Sequence, residues 1–384
     1  MSEIYCSAPW NGIAVRENGK VKTCCNGHVD LLDLNEQPIS QLESSLPLQA
    51  IRQKMLSGMA DETNCQDCLT QERDNGMASL RSHYQTYYAD ISEPLQLKFL
   101  DVRWNNTCNL GCLYCSPTFS STWVDRLQDV NRKIVPIHSY QDQLLDWVLE
   151  KSQHVQELML VGGEPMLMKQ NYQLFKRLPK DCRISIITNL SYDLENLPCF
   201  QDLLDRPRQC INWNISAENL GDKLEYVRSG IKWSQFRHNL DTLQKHWPDQ
   251  FGLNMVYNLF SAFDIDETVT QFMDFGIKKF VLQGVFHHRI LQVSNLPLVL
   301  RSMAAQKLRQ AVQCHRDRIH PEDRDFYYIR SAQEIIARLE QESQDDVISL
   351  KEFTDSIQWY DQWGTNRFQD LWPQLLCDLE QHLE

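Results

Sequence analysis

"LKFLDVRWNNTCNLGCLYC", residues 97–115, joins an apolar run to three thiols, Cys108, Cys112 and Cys115, with three and then two residues between them. The run reads as a strand, and the thiols fall in the loop that leaves its carboxyl end. Five more runs of this kind follow: ELMLVGGEP (157–165), RISIITNL (183–190), CINWNISAEN (210–219), GLNMVYNLF (252–260) and KFVLQGVFHH (279–288). Each ends in polar or glycine residues, and helix-length stretches separate them. Strands alternating with helices predict an α/β fold with a parallel sheet, here a partial (β/α)6 TIM-like barrel over residues 95–290. In barrels chemistry gathers at the carboxyl ends of the strands, and every motif considered below falls there.

Residues 1–90 lack the alternation and hold two cysteine clusters around a helical stretch, QAIRQKMLSGM (49–59), so we expect a small cysteine-rich module ahead of the barrel. From 291 to 384 apolar residues recur at helical spacing, as in VLRSMAAQKLRQAVQ (299–313) and FQDLWPQLLCDLEQHL (368–383), which predicts a helical carboxyl-terminal region. Lys and Arg total 38 against 51 Asp and Glu, a formal charge of -13, which argues against a general electrostatic grip on nucleic acid or on an anionic membrane. The first residues carry no basic start followed by an apolar stretch, and no run of eighteen apolar residues occurs, so a soluble cytoplasmic protein is expected. Thirteen cysteines in such a chain favour iron or zinc ligation over disulfides, since eight of them lie in short clusters.

Four cysteines are the usual complement of an iron-sulfur cluster and of a structural zinc site. Three thiols in one loop would leave one iron of a cube open to a substrate or cosubstrate, whereas a zinc would need a distant fourth ligand; spacing alone leaves both open. The run CNLGCLYC (108–115) resembles the C-x3-C-x2-C signature of the radical S-adenosylmethionine (SAM) enzymes, including the aromatic Tyr114 before the third cysteine. The resemblance implies a [4Fe-4S] cluster held by Cys108, Cys112 and Cys115, with SAM chelated at its open iron. One electron would then cleave the sulfonium bond, and the 5′-deoxyadenosyl radical would take hydrogen from a substrate.

The supporting motifs come in the family's order at successive strand ends. Gly162, Gly163 and Glu164 of GGEP resemble the turn that binds the cosubstrate's amino group, since glycines let backbone carbonyls approach an ammonium closely. Standing alone, GGEP would read as an ordinary turn. Asn189, Ser216 and Glu218 resemble the polar groups that meet the ribose and the methionyl part, and Tyr114 the ring beside adenine. Arg228 of EYVRSG matches a position that meets the methionyl carboxylate, although a helix-surface arginine would read the same way.

Cys6, Cys24, Cys25, Cys65 and Cys68 supply five thiols in three groups, and Cys-x2-Cys at 65–68 lets both sulfurs reach one metal centre. Zinc would suit the spacing as well. The segment resembles the SPASM and Twitch auxiliary-cluster modules, here preceding the barrel, and the resemblance implies an iron-sulfur cluster on Cys6, Cys24, Cys65 and Cys68, with Cys25 competing for the place of Cys24.

An auxiliary cluster can accept an electron from a substrate radical. Many enzymes with such modules modify ribosomally made peptides, so the resemblance implies a peptide substrate, altered by oxidative cross-linking, thioether formation or epimerisation, and a low-potential electron donor such as flavodoxin or ferredoxin. A small metabolite or nucleotide is the alternative substrate, and a zinc-binding interaction protein the alternative class. His287 and His288 follow the sixth strand and are candidate acid-base groups, though strand-end histidines are common. Trp359, Tyr360 and Trp363 could line a groove, and at helical spacing they equally suit a core.

Overall fold

The structure is a computed structural model, and it describes residues 5–75, 78–128, 138–285, 288–320, 326–341 and 347–383. His287 lies outside them. The strands are β1 (Gly12–Val15), β2 (Lys20–Lys22), β3 (Leu32–Asp33), β4 (Phe99–Val102), β5 (Gly111–Cys112), β6 (Glu157–Leu160), β7 (Arg183–Thr188), β8 (Ile211–Ser216), β9 (Arg228–Ser229), β10 (Phe251–Tyr257) and β11 (Phe280–Gly284). The six apolar runs of the sequence are β4, β6, β7, β8, β10 and β11. The chain is α/β, and its long pairings are mainly parallel, as the alternation of strands and helices predicts. It divides into two compact units.

The first unit comprises Met1–Cys108, Pro117–Ile187 and Pro198–Asn212. Here β4 pairs in parallel with β6, and β6 with β7. The cysteine-rich segment adds to the same sheet, for β1 pairs in parallel with β4 from Gly12↔Phe99 to Val15↔Val102. β1 then turns back antiparallel into β2, which leads directly to Cys24 and Cys25. Nothing in the sequence announces this pairing, because GIAV is four small or apolar residues buried throughout and shows no alternation.

Period two governs the faces of this sheet. Leu158, Leu160, Ile184 and Ile186 are fully buried, while Glu157, Met159 and Ser185 between them are half-buried. The register aligns Ala14, Asp101, Met159 and Ser185 in one row, which places Asp101 on the half-open face. Gly12 sits two rows below, and its lack of a side chain matters: a Cβ there would stand 2.0 Å from the Tyr84 hydroxyl.

The second unit comprises Asn109–Ser116, Thr188–Leu197 and Trp213–Glu384. β10 pairs in parallel with β8 on one side and with β11 on the other. A short antiparallel ribbon joins β5 to β9, with Gly111↔Ser229 and Cys112↔Arg228. The expected helical tail is present in the helices Leu298–Arg318, Phe326–Leu339, Leu350–Tyr360 and Pro373–His382. The first buries Leu300, Ala304, Leu308, Ala311 and Val312 along one stripe, the three- and four-residue spacing of a core-facing helix. Ser349 and Glu352 form a reciprocal capping box that starts the third. No helix among the described residues is long and apolar enough to cross a membrane.

Candidate metal centres

In the first unit, Cys6, Cys24, Cys65 and Cys68 line a single cavity together with Asn26 and Tyr84. Three of the sulfurs already have a polar donor beside them: Thr23 Oγ1 is 3.9 Å from Cys24 Sγ, Asn26 Nδ2 is 3.9 Å from Cys68 Sγ, and Asn64 Nδ2 is 4.0 Å from Cys65 Sγ. Burial pushes the Cys6 thiol up to about 12 and the Cys65 thiol to about 11, and raises Cys24 well above its ordinary range. Such thiols keep their protons until a metal displaces them. Tyr84 also lines this cavity, and its buried hydroxyl has no hydrogen-bond partner among the described residues.

Among the described residues no three His, Cys, Asp or Glu side chains stand ready to hold a single metal ion. The fit of a cluster therefore rests on the donor set: four thiols around one cavity, amide and hydroxyl donors behind them, and an orphaned hydroxyl at the wall. Hydrogen bonds to sulfur are the outer-shell groups that tune iron-sulfur centres, and this arrangement fits one.

Cys25 is placed differently from Cys24. It does not line the cavity; its Sγ lies 3.7 Å from Asn26 Oδ1. Burial pushes its thiol up to about 12, with the Asp101 carboxylate raising it further and Arg103 and Arg16 opposing. Of the two adjacent thiols, the structure turns Cys24 toward the other three.

Also in the first unit, GGEP packs against the chain entering the Cys108 loop. The Glu164 N–H donates to the Thr107 carbonyl at 2.8 Å. Gly163 has φ +43°, and a Cβ on it would stand 2.2 Å from the same carbonyl oxygen. Only glycine meets both conditions. Glu164 is fully buried and accepts the Met166 N–H at 3.1 Å, capping the short turn Pro165–Leu167. The Cys108 carbonyl accepts from Thr122 Oγ1 at 2.8 Å, and its N–H donates to Ser121 Oγ at 3.1 Å.

The second unit holds Cys112 and Cys115 with a buried polar group around them. Glu218, with no exposure, takes Arg228 Nη2 at 2.7 Å and Nε at 3.1 and 3.2 Å. Tyr114 donates its hydroxyl to the same carboxylate at 3.1 Å. Burial would lower the Arg228 guanidinium, but Glu218 more than offsets this and the group is raised overall. Arg228 Nη1 reaches Cys112 Sγ at 3.8 Å. Two residues that the resemblance assigns to separate parts of SAM are thus bonded to each other.

Asn189 donates to Asn109 Oδ1 at 3.0 Å and accepts from the Ser191 N–H at 3.0 Å, so it braces the residue after Cys108. Ser216 ends β8, half-buried, opposite Asn254 of β10. His288 adopts a left-handed backbone, φ 65°. Of the tail aromatics, Tyr360 is buried against Phe260 with ring centroids 5.9 Å apart, while the Trp363 carbonyl accepts Ser229 Oγ at 2.6 Å. Thr23 and Asn64 stand next to Cys24 and Cys65 in the sequence and were not singled out there, whereas Asn26 reaches Cys68 only through the fold.

Comparison with known proteins identifies both regions. Residues 102–271 match the Radical SAM superfamily, and residues 6–69 match SPASM, an iron-sulfur cluster-binding domain. The chain is a radical SAM enzyme. Within that class it is one whose SPASM domain lies ahead of the barrel strands, and its cofactors are a [4Fe-4S] cluster, SAM and an auxiliary iron-sulfur cluster. No curated protein matches the chain. Among solved structures it is similar to native anSMEcpe with bound AdoMet, at 15% identity over 54% of this chain and 59% of that one, with a TM-score of 0.39. It is also similar to Streptococcus suis SuiB bound to S-adenosylmethionine, at 14% identity over 72% of this chain and 62% of that one, with a TM-score of 0.35. TYW1 with a lysine-pyruvate adduct follows, at 14% identity over 65% and 81%, with a TM-score of 0.35. The chain spans about six-tenths of the length of the first of these, 59%. Family membership rests on the two domain matches.

Proposed function

We propose that this enzyme oxidises a ribosomally made peptide, using a catalytic cluster on Cys108, Cys112 and Cys115 and an auxiliary cluster on Cys6, Cys24, Cys65 and Cys68. The observation that carries the reading is the convergence of four amino-terminal thiols on one cavity. An iron-sulfur centre in that place gives the protein an internal electron acceptor, which suits a net oxidation such as cross-linking or thioether formation. When bound, the catalytic cluster and SAM supply one-electron bond cleavage and hydrogen abstraction, and a ferredoxin or flavodoxin supplies the electron.

The chain's own residues do the positioning. Gly162 and Gly163 bring backbone close to the amino group of SAM, and Glu164 fixes their turn. Asn189 and Ser216 offer hydrogen bonds to the ribose hydroxyls, and Tyr114 a face for adenine. We take residues 1–90, 95–290 and 291–384 as auxiliary module, catalytic barrel and helical cover. That one similar structure, an anSMEcpe crystal, carries a bound Cp18Cys peptide is a property of that protein, and it names the substrate class to try first.

The test is anaerobic incubation of the reconstituted enzyme with SAM, reductant and peptides encoded beside its gene, followed by mass spectrometry. Loss of hydrogen from a peptide, with 5′-deoxyadenosine formed alongside, supports the reading. A metabolite modified in place of any peptide contradicts it.

A further inference from the structure

Arg228 is buried to 4% exposure in a hydrogen-bonded setting that engages each of its three side-chain nitrogens. Nε and Nη2 bind Glu218, and Nη1 lies 3.8 Å from Cys112 Sγ. The guanidinium carbon stands 5.5 Å from the centre of the Tyr114 ring, and Tyr114 also donates to Glu218. The backbone fixes this geometry, because the β5–β9 ribbon sets Arg228 directly across from Cys112. Gly230, at φ +107°, carries no side chain toward the Asn109 carbonyl, where a Cβ would stand 3.1 Å from the oxygen. Ser229 is tied to the Trp363 carbonyl of the tail at 2.6 Å, and Tyr226 to Asp361 at 2.8 Å. The helical tail thus braces the segment that carries Arg228.

We infer that Arg228 is a positioning residue of the catalytic cluster: its Nη1 donates to the Cys112 thiolate and raises the cluster's reduction potential, while Glu218 and Tyr114 hold the guanidinium to that task. The inference rests on the reading that Cys112 ligates the cluster, and it reassigns Glu218 and Arg228 from SAM to the ligand shell. A hydrogen bond to a cluster sulfur draws charge off the iron and stabilises the reduced state, and a buried cationic donor does so more strongly than a neutral or solvated one. The carboxylate of Glu218 has the opposite effect on the iron, and its place on the far side of the guanidinium keeps the cation nearest the sulfur.

The experiment is an EPR-monitored redox titration of the reduced cluster signal that changes when SAM is added, with SAM affinity measured in parallel, on the full reconstituted chain and on Arg228→Lys and Glu218→Gln. Lysine keeps the charge but not the planar fork that reaches both partners. The expected result is a midpoint shifted to more negative potential in Arg228→Lys and to more positive potential in Glu218→Gln, with SAM affinity within about twofold of the parent in both. Opposite shifts are not expected of a merely structural pair, whose loss would lower cluster content in both variants without moving the potential of the clusters retained. An unmoved potential with SAM binding weakened tenfold or more in Arg228→Lys overturns the inference and returns the guanidinium to the methionyl carboxylate. Should Arg228→Lys lose its cluster, the sign of the Glu218→Gln shift decides alone. A parent protein with no SAM-responsive signal, and an iron content no lower when Cys112 is replaced, would instead refute the ligand assignment itself.

Discussion

Replacing Asp101 by Asn should stabilise the protein at neutral pH. Asp101 is the third residue of β4, has no exposure, and keeps both carboxylate oxygens without a hydrogen bond among the described residues. Its nearest cation is Arg103, whose Nε is 3.8 Å away and whose Nη1 lies 3.4 Å from Glu17. Burial pushes the carboxyl up to about 6; Arg103 and Arg16 oppose the rise and Glu17 adds to it. A raised carboxyl binds its proton more tightly in the folded state. Its contribution to stability is therefore fully present below about pH 4 and is lost as pH rises through about 6. A rise of about two units corresponds to roughly 3 kcal/mol, and about half of it develops between pH 5 and pH 7.5. Asn mimics the protonated side chain in shape and charge, so it escapes the loss. In urea unfolding at matched cluster content, Asp101→Asn should exceed the parent by roughly 2 to 3 kcal/mol at pH 7.5, with the gap about halved at pH 5 and m unchanged. A variant less stable than the parent at pH 7.5, or a gap that ignores pH, would refute the reasoning.

Other changes separate the two metal centres. Gly163→Ala places a methyl against the Thr107 carbonyl at a positive φ, so it should cost more than about 1 kcal/mol and remove SAM cleavage while leaving the amino-terminal iron in place; iron analysis and 5′-deoxyadenosine release read both. Cys24→Ala should lose the auxiliary cluster's iron and sulfide, whereas Cys25→Ala should retain them, because only Cys24 faces the shared cavity; equal losses would show that the pair exchange. Asn26→Ala removes a donor to Cys68 Sγ and should shift the auxiliary cluster to more negative potential in a voltammetric titration, with its iron count unchanged.

The strands of the barrel were legible because six apolar runs of ordinary strand length end in glycine or polar residues, and all six became strands. The thiol groupings were legible from spacing. The choice between Cys24 and Cys25 was not, since adjacent residues leaving β2 point to opposite sides and the sequence does not say which side faces Cys6. The Glu218–Arg228 pair escaped for a related reason. A ribbon of two residues on each strand has no periodicity to read, yet it alone sets Arg228 opposite Cys112. Asn26 is a common loop residue whose value comes from its distance to Cys68 Sγ, 42 positions away, which only folding creates. Asp101 reads as one polar residue in an apolar strand, and its burial depends on β1 covering β4, a pairing that four small apolar residues did not announce.

The central claim is that two separate sets of cysteines hold two clusters with different work. Metal and sulfide content of anaerobically prepared Cys108→Ala/Cys112→Ala/Cys115→Ala protein, assayed with SAM and reductant, tests it most directly. The account predicts that iron and sulfide persist at the amino-terminal thiols while 5′-deoxyadenosine formation disappears. A triple variant that holds only zinc or no metal, or one that still cleaves SAM, would contradict it.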